Sequence, residues 1–252
     1  MKALPRSAAR TMMIVAFTII AAASASQAKR DYAATDVENG GVIVGVVRFD
    51  GARPTRDQVA VTTKEEICHK DPVYSEKLVV SEDNMVRWAV VSLRGISAGK
   101  PFPELKEPED QPTLDQKGCV FRPHVVVVPQ REPLTLLNGD GVLHNVHTWP
   151  KKNRSANVAM PGPLKEFKLK FRRAERIRVT CDIHRWMEAW IIVAEHPYYA
   201  VSDKKGEFKL ANVPPGTYDL RLWHESLGEV QQEVTVKPKA ETRVEFTLSE
   251  SK

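Results

Sequence analysis

The sequence predicts an all-β protein built of two sandwiches, and three observations support this fold class. Short β-branched and apolar runs of strand length recur along the chain from residue 29 onward. Turn signals such as Asp50-Gly51 and Pro214-Pro215-Gly216 separate these runs. No window has a competing helical periodicity except residues 62–68, which fit one short turn.

The predicted strands follow one another along the chain as short β-branched, aromatic or alternating runs. Before His196-Pro197 they cover residues 41–49, 88–93, 125–128, 134–137, 167–171, 177–180 and 190–193. After it they cover residues 207–210, 218–223, 229–236 and 242–248. Residues 97–118 carry Pro101, Pro103, Pro108 and Pro112 among acidic residues, which predicts a long surface loop.

These elements divide the chain into four predicted segments. Residues 1–28 are a signal peptide, 29–117 an N-terminal β-rich region that includes most of the Pro-rich loop, 118–196 a central sandwich, and 197–252 a small antiparallel sandwich. The last segment has only about fifty residues, so we expect it to dock on the preceding domain. The N-terminal region has two interpretations: it completes the central sandwich, or it forms an extra layer.

The first 28 residues have the three parts of a secretory signal. Lys2, Arg6 and Arg10 form a basic start, residues 12–20 are strongly apolar, and Ser26-Gln27-Ala28 is a small-x-small cleavage pattern. The apolar part is shorter than the ~20 residues that span a bilayer, although an uncleaved anchor is the alternative. We therefore expect a periplasmic or extracellular protein with no stable membrane span after cleavage.

The charge balance argues against a nucleic-acid partner. The chain has 37 Lys+Arg against 32 Asp+Glu, a formal charge of +5, and three of the basic residues lie in the predicted signal peptide. Without them the balance is 34 against 32, or +2. A nucleic-acid-binding face requires clustered Lys and Arg on a strongly basic domain.

Export also affects how the three cysteines are interpreted. Outside the cytosol two thiols tend to pair, which leaves the third free for other work. Cys68 and Cys119 precede the segment that carries the chemistry below, whereas Cys181 lies within it. A Cys68–Cys119 disulfide is the economical prediction, and two buried free thiols are the alternative.

One short loop between two predicted strands brings together three candidate metal ligands. Cys181, His184 and Met187 have the spacing Cys-x2-His-x2-Met, and two more histidines, His144 and His147, lie about forty residues upstream. A thiolate, two imidazoles and a weak axial thioether form the ligand set of a mononuclear blue-copper site. Soft sulfur stabilises Cu(I), and imidazole suits both oxidation states.

This segment resembles the cupredoxins, and within them the amicyanin, pseudoazurin and plastocyanin group, over roughly residues 118–195. In that group a His-Asn pair supplies the upstream ligand, which here implies His144, followed by Asn145. The resemblance implies a cupredoxin-like Greek-key sandwich that binds one copper ion per chain through His144, Cys181, His184 and Met187. It also implies that Asn145 ties the ligand loops together and that Thr180 faces it, both as supports of the ligands.

Two further histidines have alternative interpretations. His147 lies three residues beyond His144, so on a strand it points to the opposite face, but it is a possible replacement or additional ligand. His124 is a possible partner of Cys119 in a second metal site.

Two other features also have alternative interpretations. Trp149 either packs in the core or lies on a path for electrons. A basic run over residues 165–178 is a solvated face or a dock for an acidic redox partner.

The C-terminal segment resembles the β-sandwich of carboxypeptidase-regulatory and rhamnogalacturonan-lyase-type domains, also called carbohydrate-binding-like or prealbumin-like. The residues that carry this resemblance are Gly206-Glu207-Phe208 and Pro215-Gly216-Thr217-Tyr218, followed by an alternating strand. The pattern is typical of a scaffold rather than of an active site. The fused arrangement also resembles methylamine-utilisation proteins.

The leading functional hypothesis is an exported copper protein that carries single electrons between redox protein partners. A copper-handling protein for delivery or storage shares the ligands, but the chain has no Met- or His-rich tract. A metal-free adhesive or scaffold module of two sandwiches is the third hypothesis. We do not expect an enzyme, because the sequence shows neither a second copper-ligand cluster nor a convincing nucleophile–base pair.

Overall fold

The computed structural model describes Met1 and residues 32–250, and this part of the chain is almost entirely β-structure. It contains eighteen strands and two short 3₁₀ helices, Glu66–His69 and Pro108–Asp110, but no α-helix. The all-β prediction is therefore confirmed. The predicted signal peptide, apart from Met1, lies outside the described residues. Among the described residues, no helix has the length and apolarity needed to cross a membrane.

The strands are numbered here in chain order. They are β1 (Ala33–Ala34), β2 (Gly41–Phe49), β3 (Val90–Arg94), β4 (Ala98–Gly99), β5 (Thr113–Gln116), β6 (Phe121–Arg122), β7 (Val125–Pro129), β8 (Pro133–Asn138), β9 (His144–Trp149), β10 (Asn157–Met160), β11 (Glu166–Lys170), β12 (Glu175–Thr180), β13 (Glu188–Ala194), β14 (Tyr199–Val201), β15 (Glu207–Val213), β16 (Gly216–His224), β17 (Gly228–Val236) and β18 (Glu241–Leu248).

Strands β5 to β13 form a central sandwich of two sheets. The five-stranded sheet has the order β10-β9-β12-β13-β7, and the four-stranded sheet has the order β11-β8-β5-β6. Pairing is antiparallel except for β13 with β7 and β5 with β8. Inward residues such as Leu114, Leu136, Val146, Ile177 and Ile191 are fully buried between the sheets and form one continuous core.

Strands β2, β3 and β14 to β18 form a second, composite sandwich that is built from both ends of the described chain. Its sheets have the orders β14-β3-β16-β17 and β15-β2-β18. The core between them includes Ile43 and Val47 from β2, Leu93 from β3, and Leu220 and Phe246 from the C-terminal strands. The N-terminal strands therefore lie inside both sheets of this sandwich.

This arrangement differs from the predicted division into successive segments. Apart from β5, residues 29–117 do not complete the central sandwich, and β2 and β3 do not form a separate layer, because they pair with strands that begin at residue 199 or later. The physical reason is burial: without β2 and β3, the apolar faces of β16 and β18 would lack their neighbours. The central sandwich also begins earlier than residue 118, since β5 (Thr113–Gln116) pairs with β8 inside the predicted Pro-rich loop.

A layer of aromatic and charged side chains joins the two sandwiches. The rings of Trp190 and Trp223 are 4.9 Å apart, and the Arg176 guanidinium lies 4.8 Å from the Trp223 ring. The same arginine binds Glu229 at 2.7 Å. The carboxylate of Glu225 accepts the Trp190 indole N–H at 2.8 Å. Glu225 and Arg176 are thus parts of the contact between the sandwiches.

His224, at the end of β16, gives the fold a pH-dependent stability. Burial of its imidazole, whose exposed fraction is 0%, lowers its pKa from 6.5 to about 4. Because the unfolded chain takes up this proton near pH 6.5 and the folded chain only near pH 4, stability falls as the pH drops through this window. The contribution lost at pH 4 is roughly 3 kcal/mol.

We expect His224→Gln to reduce the pH dependence of the free energy of unfolding between about pH 6.5 and 4. Urea unfolding, followed by tryptophan fluorescence at pH 7, 5.5 and 4, measures the difference. The exposed His69, replaced in the same way, is the control and should keep the profile of the unchanged protein. Equal slopes for the His224 variant and the unchanged protein would contradict the prediction.

Candidate metal centre

Two neighbouring strands bring the candidate ligands together. His144 is the first residue of β9, and the loop between β12 and β13, residues 181–187, carries Cys181, His184 and Met187. Strand β9 pairs antiparallel with β12, so the beginning of β9 lies beside the end of β12. The two segments are forty residues apart in sequence and adjacent in space.

The side chains of these residues converge in a buried position. The Nδ1 atoms of His144 and His184 are 2.9 Å apart, and Cys181 Sγ lies 3.9 Å from His184 Nδ1. One donor atom from each of the three residues lies within 4.8 Å of the others. The exposed fractions are 0% for His144 and 1% for Cys181, His184 and Met187. The donor set of one thiolate and two imidazoles fits a soft transition-metal ion such as copper.

Backbone hydrogen bonds make the ligand loop compact. The amide of His184 donates to Cys181 Sγ at 3.4 Å, and the amide of Met187 donates to the carbonyl of His184 at 2.8 Å. The amide of Cys181 in turn donates to the carbonyl of Met187 at 3.3 Å. Met187 is buried in the same core cluster as Cys181, and these backbone hydrogen bonds join it to Cys181 and His184.

The protonation equilibria of the three donors differ. Burial works to lower the pKa of His144, but hydrogen bonding to Asp140 and the interaction with Cys181 outweigh it and raise that pKa to about 9. Burial disfavours the Cys181 thiolate, yet His144 and nearby backbone amides lower the pKa of the thiol. Burial and the charge of His144 lower the pKa of His184. The site therefore favours a thiolate beside one neutral imidazole.

Asn145 connects the two segments that carry the donors. Its side-chain oxygen accepts the backbone N–H of Asp182 at 2.7 Å, and its Nδ2 donates to the Asp182 carboxylate at 3.0 Å and to Asn157 Oδ1 at 2.6 Å. The backbone amide of Asn145 also acts on Cys181 and lowers the pKa of the thiol. Asn145 thus binds the residue that follows Cys181 in the chain.

Thr180 has a different partner from the one we expected. Its hydroxyl oxygen accepts the indole N–H of Trp149 at 2.9 Å, and Asp182 takes the place opposite Asn145. Thr180 lies across from His147 on β9, and its hydroxyl contacts Trp149, two residues further along the same face of that strand. The Asp182 carboxylate, which the sequence reasoning missed, binds Asn145, His147 and Asn157.

The other histidines lie apart from the ligand cluster. His147 binds the Asp182 carboxylate at 3.0 Å and stacks on Trp149 at 4.0 Å, so it neither replaces His144 nor joins it. His124 is buried against the carboxylate of Glu225. The structure has a disulfide between Cys68 and Cys119, whose Cα atoms are 5.1 Å apart. Because the Cys119 sulfur is part of this disulfide, it is not available as a thiolate ligand, and the alternative of a second metal site with His124 is wrong.

A second carboxylate next to the site also escaped the sequence reasoning. Asp140 binds His144 Nε2 at 3.0 Å, and its side chain is only 2% exposed. It lies in the sequence Asn138-Gly139-Asp140-Gly141, which is typical of an exposed turn. The available signal was its position four residues before a candidate ligand.

Parts of the chain are similar to known proteins. Residues 188–249 match the family of carboxypeptidase regulatory-like domains. A copper-containing nitrite reductase from Thermus scotoductus SA-01 is 17% identical, with 33% of this chain and 22% of that chain covered and a TM-score of 0.31. No curated protein sequence matches this chain.

Two smaller solved structures are similar to part of the chain. A Cu(I) amicyanin mutant is 17% identical, with 41% of this chain and 98% of that chain covered and a TM-score of 0.31. A purple cupredoxin from Nitrosopumilus maritimus is 16% identical, with 33% of this chain and 100% of that chain covered and a TM-score of 0.29.

Replacing Asn145 should weaken both the fold and the site. Asn145→Ala removes the three side-chain hydrogen bonds that join Asn145 to Asp182 and Asn157, and we expect the free energy of unfolding to fall by about 2 kcal/mol. Because the loop that carries Cys181 loses its link to β9, metal affinity should fall as well, by about tenfold or more. Denaturant unfolding and competitive metal titration measure the two effects.

Asn153→Ala is the matched control, since the Asn153 side chain also binds several backbone groups but lies far from the donors, on the loop beside Glu175. It should lower stability without changing metal affinity. If both variants changed metal affinity equally, Asn145 would have no specific part in the site.

Proposed function

We propose that the protein is a mononuclear copper protein that carries single electrons between redox partners. The observation that carries this proposal is the convergence of the Cys181 sulfur and the His144 and His184 Nδ1 atoms in one buried cluster. Copper supplies the Cu(II)/Cu(I) couple. His144, Cys181 and His184 would hold one copper ion per chain, and the Met187 thioether would be a weaker sulfur ligand.

The chain contributes rigidity and exclusion of water. The donors lie on paired strands and on a loop with its own hydrogen bonds, so the protein has little freedom to rearrange when the charge of the site changes. Complete burial of the donors keeps solvent molecules out of the coordination positions. Both properties favour a permanently bound copper ion over copper delivery to another protein. We propose no enzymatic activity.

The exposed ring of Trp149 supports a place for electron exchange. Its exposed fraction is 50%, whereas the imidazole of His184 is buried and presents no edge to solvent. The Trp149 indole N–H binds the hydroxyl of Thr180, and Thr180 is peptide-bonded to Cys181. A short route of one hydrogen bond and a few covalent bonds therefore joins the ligand to an exposed aromatic surface.

The charges around this ring favour an acidic partner. Lys151, Lys152 and Arg154 are exposed on the loop that follows Trp149, and none of them forms a salt bridge with another described residue. In the basic run of residues 165–178, Arg176 binds Glu229 and Arg178 binds Glu188, so these two arginines form ion pairs within the protein. We further propose that the partner is a redox protein, that the protein is exported to the periplasm or the extracellular space, and that it is related to methylamine-utilisation proteins.

The copper proposal predicts an intense visible band from the thiolate. Cu(II) titration of the chain without residues 1–28 should give one equivalent of bound copper, with the band and an EPR spectrum of a type 1 site. Cys181→Ser and His144→Ala should abolish the band, because each removes a donor. His147→Ala is the control and should retain it.

A weak band with ordinary tetragonal EPR would contradict electron transfer at this site. Rapid loss of copper to an acceptor would point to copper handling instead. If copper changed neither the spectrum nor the thermal stability, the two sandwiches would be a metal-free module.

The partner proposal predicts a charge-dependent exchange rate. In the copper-loaded protein, Lys151→Glu combined with Lys152→Glu should slow oxidation of the reduced protein by hexacyanoferrate(III), an anion, by about tenfold at low salt. The difference should shrink at high ionic strength because salt screens exposed charges. Stopped-flow absorption of the visible band measures the rates.

The exposed pair Lys204 and Lys205, on a turn of the composite sandwich, is the matched control for this double change. Lys204→Glu with Lys205→Glu changes the net charge equally. An equal effect of both double variants would mean that net charge, rather than the surface at Trp149, governs the rate.

A further inference from the structure

Asp140 is a buried carboxylate next to the candidate metal centre. Three N–H groups surround it: the backbone amide of Gly118 at 2.6 Å, the backbone amide of Cys119 at 2.8 Å and the Nε2 of His144 at 3.0 Å. A buried ionised carboxylate is costly unless several donors compensate it. Here three donors do so, and one of them belongs to a candidate metal ligand.

The two amides converge on Asp140 because of an uncommon backbone conformation. Gly118 and Cys119 have φ angles of +68° and +53°, both in the left-handed region. Non-glycine residues such as Cys119 rarely adopt this conformation, and Cys119 also forms the disulfide with Cys68. The indole of Trp186 also donates to the carbonyl of Cys119 at 2.9 Å. Successive amides in this arrangement form a nest for an anion.

The contact with Asp140 determines which nitrogen of His144 is free. A metal ligand must offer a lone pair, so a metal-bound His144 is a neutral imidazole with one ring proton. An ionised carboxylate only accepts hydrogen bonds, so this proton lies on Nε2. The lone pair is then on Nδ1, the atom that faces His184 Nδ1 at 2.9 Å. Held between Asp140 and the donor cluster, the His144 ring has both its tautomer and its orientation set by one side chain.

We propose that Asp140 is a positioning residue of the metal centre: its carboxylate, held by the Gly118–Cys119 amides, orients His144 and places a negative charge one imidazole ring away from the metal. This inference rests on the proposed copper function. A negative charge at this position stabilises the more positive Cu(II) state relative to Cu(I). Asp140 therefore tightens metal binding and lowers the reduction potential.

Asp140→Asn tests the proposal, because it keeps the shape of the side chain and removes its charge. In the copper-loaded protein we expect Cu(II) affinity to fall by about 10- to 100-fold and Cu(I) affinity to fall less. A tenfold larger loss for Cu(II) than for Cu(I) corresponds to a rise of about 59 mV in the midpoint potential. Chelator competition for each oxidation state and protein-film voltammetry measure these effects.

Asp115→Asn is the matched control. The Asp115 carboxylate accepts a backbone N–H from Gly139 at 3.0 Å, next to Asp140, but it contacts no candidate ligand. We expect this variant to leave the potential and both affinities unchanged. Potentials and affinities of Asp140→Asn that equal those of Asp115→Asn would overturn the proposal, provided that the unchanged protein shows the thiolate band. Absence of that band would count against the copper function itself.

A second measurement does not depend on the folding of a variant. In the unchanged protein loaded with diamagnetic Cu(I), ¹⁵N NMR of the His144 ring distinguishes its two nitrogens. The proposal requires a protonated Nε2 and a metal-bound Nδ1. A proton on Nδ1, with Nε2 bound to the metal, would overturn it.

Discussion

The pairing of β9 with β12 is the constraint on which the site depends. It sets Thr180 across from His147 and so brings the first residue of β9 beside the loop that follows β12. The hydrogen bonds between Asn145 and Asp182 then join the two segments at the level of the donors. A shift of this register by one residue would turn His144 to the other face of the sheet and separate it from Cys181.

A disulfide links the two sandwiches in addition to the packing between them. The connection between β2 and β3, two strands of the composite sandwich, contains Cys68, and the disulfide ties it to Cys119 in the central sandwich. Cys119 is also one of the residues whose amides hold Asp140. The segment that completes the composite sandwich therefore also braces the loop behind His144.

Charged groups near the candidate metal centre lie in two different surroundings. Asp140 is enclosed, with each of its contacts supplied by the protein, whereas Lys151 and Lys152 extend into solvent near Trp149. A buried charge keeps its effect in salt, because solvent ions do not reach it, and an exposed charge loses much of its effect. In our proposal the two groups therefore have different tasks: Asp140 tunes the metal centre, and the two lysines attract a partner.

The sequence by itself determined the all-β class and identified the candidate donors, since strand periodicity and the Cys-x2-His-x2-Met spacing are local properties. Tertiary structure decided the composite sandwich, because the pairing of β2 and β3 with strands far later in the chain leaves no local pattern. It also decided the contacts of Asp140, Asp182 and Trp149. Each is an ordinary turn, loop or strand residue in the sequence, and its partners are residues that only the folded chain brings near.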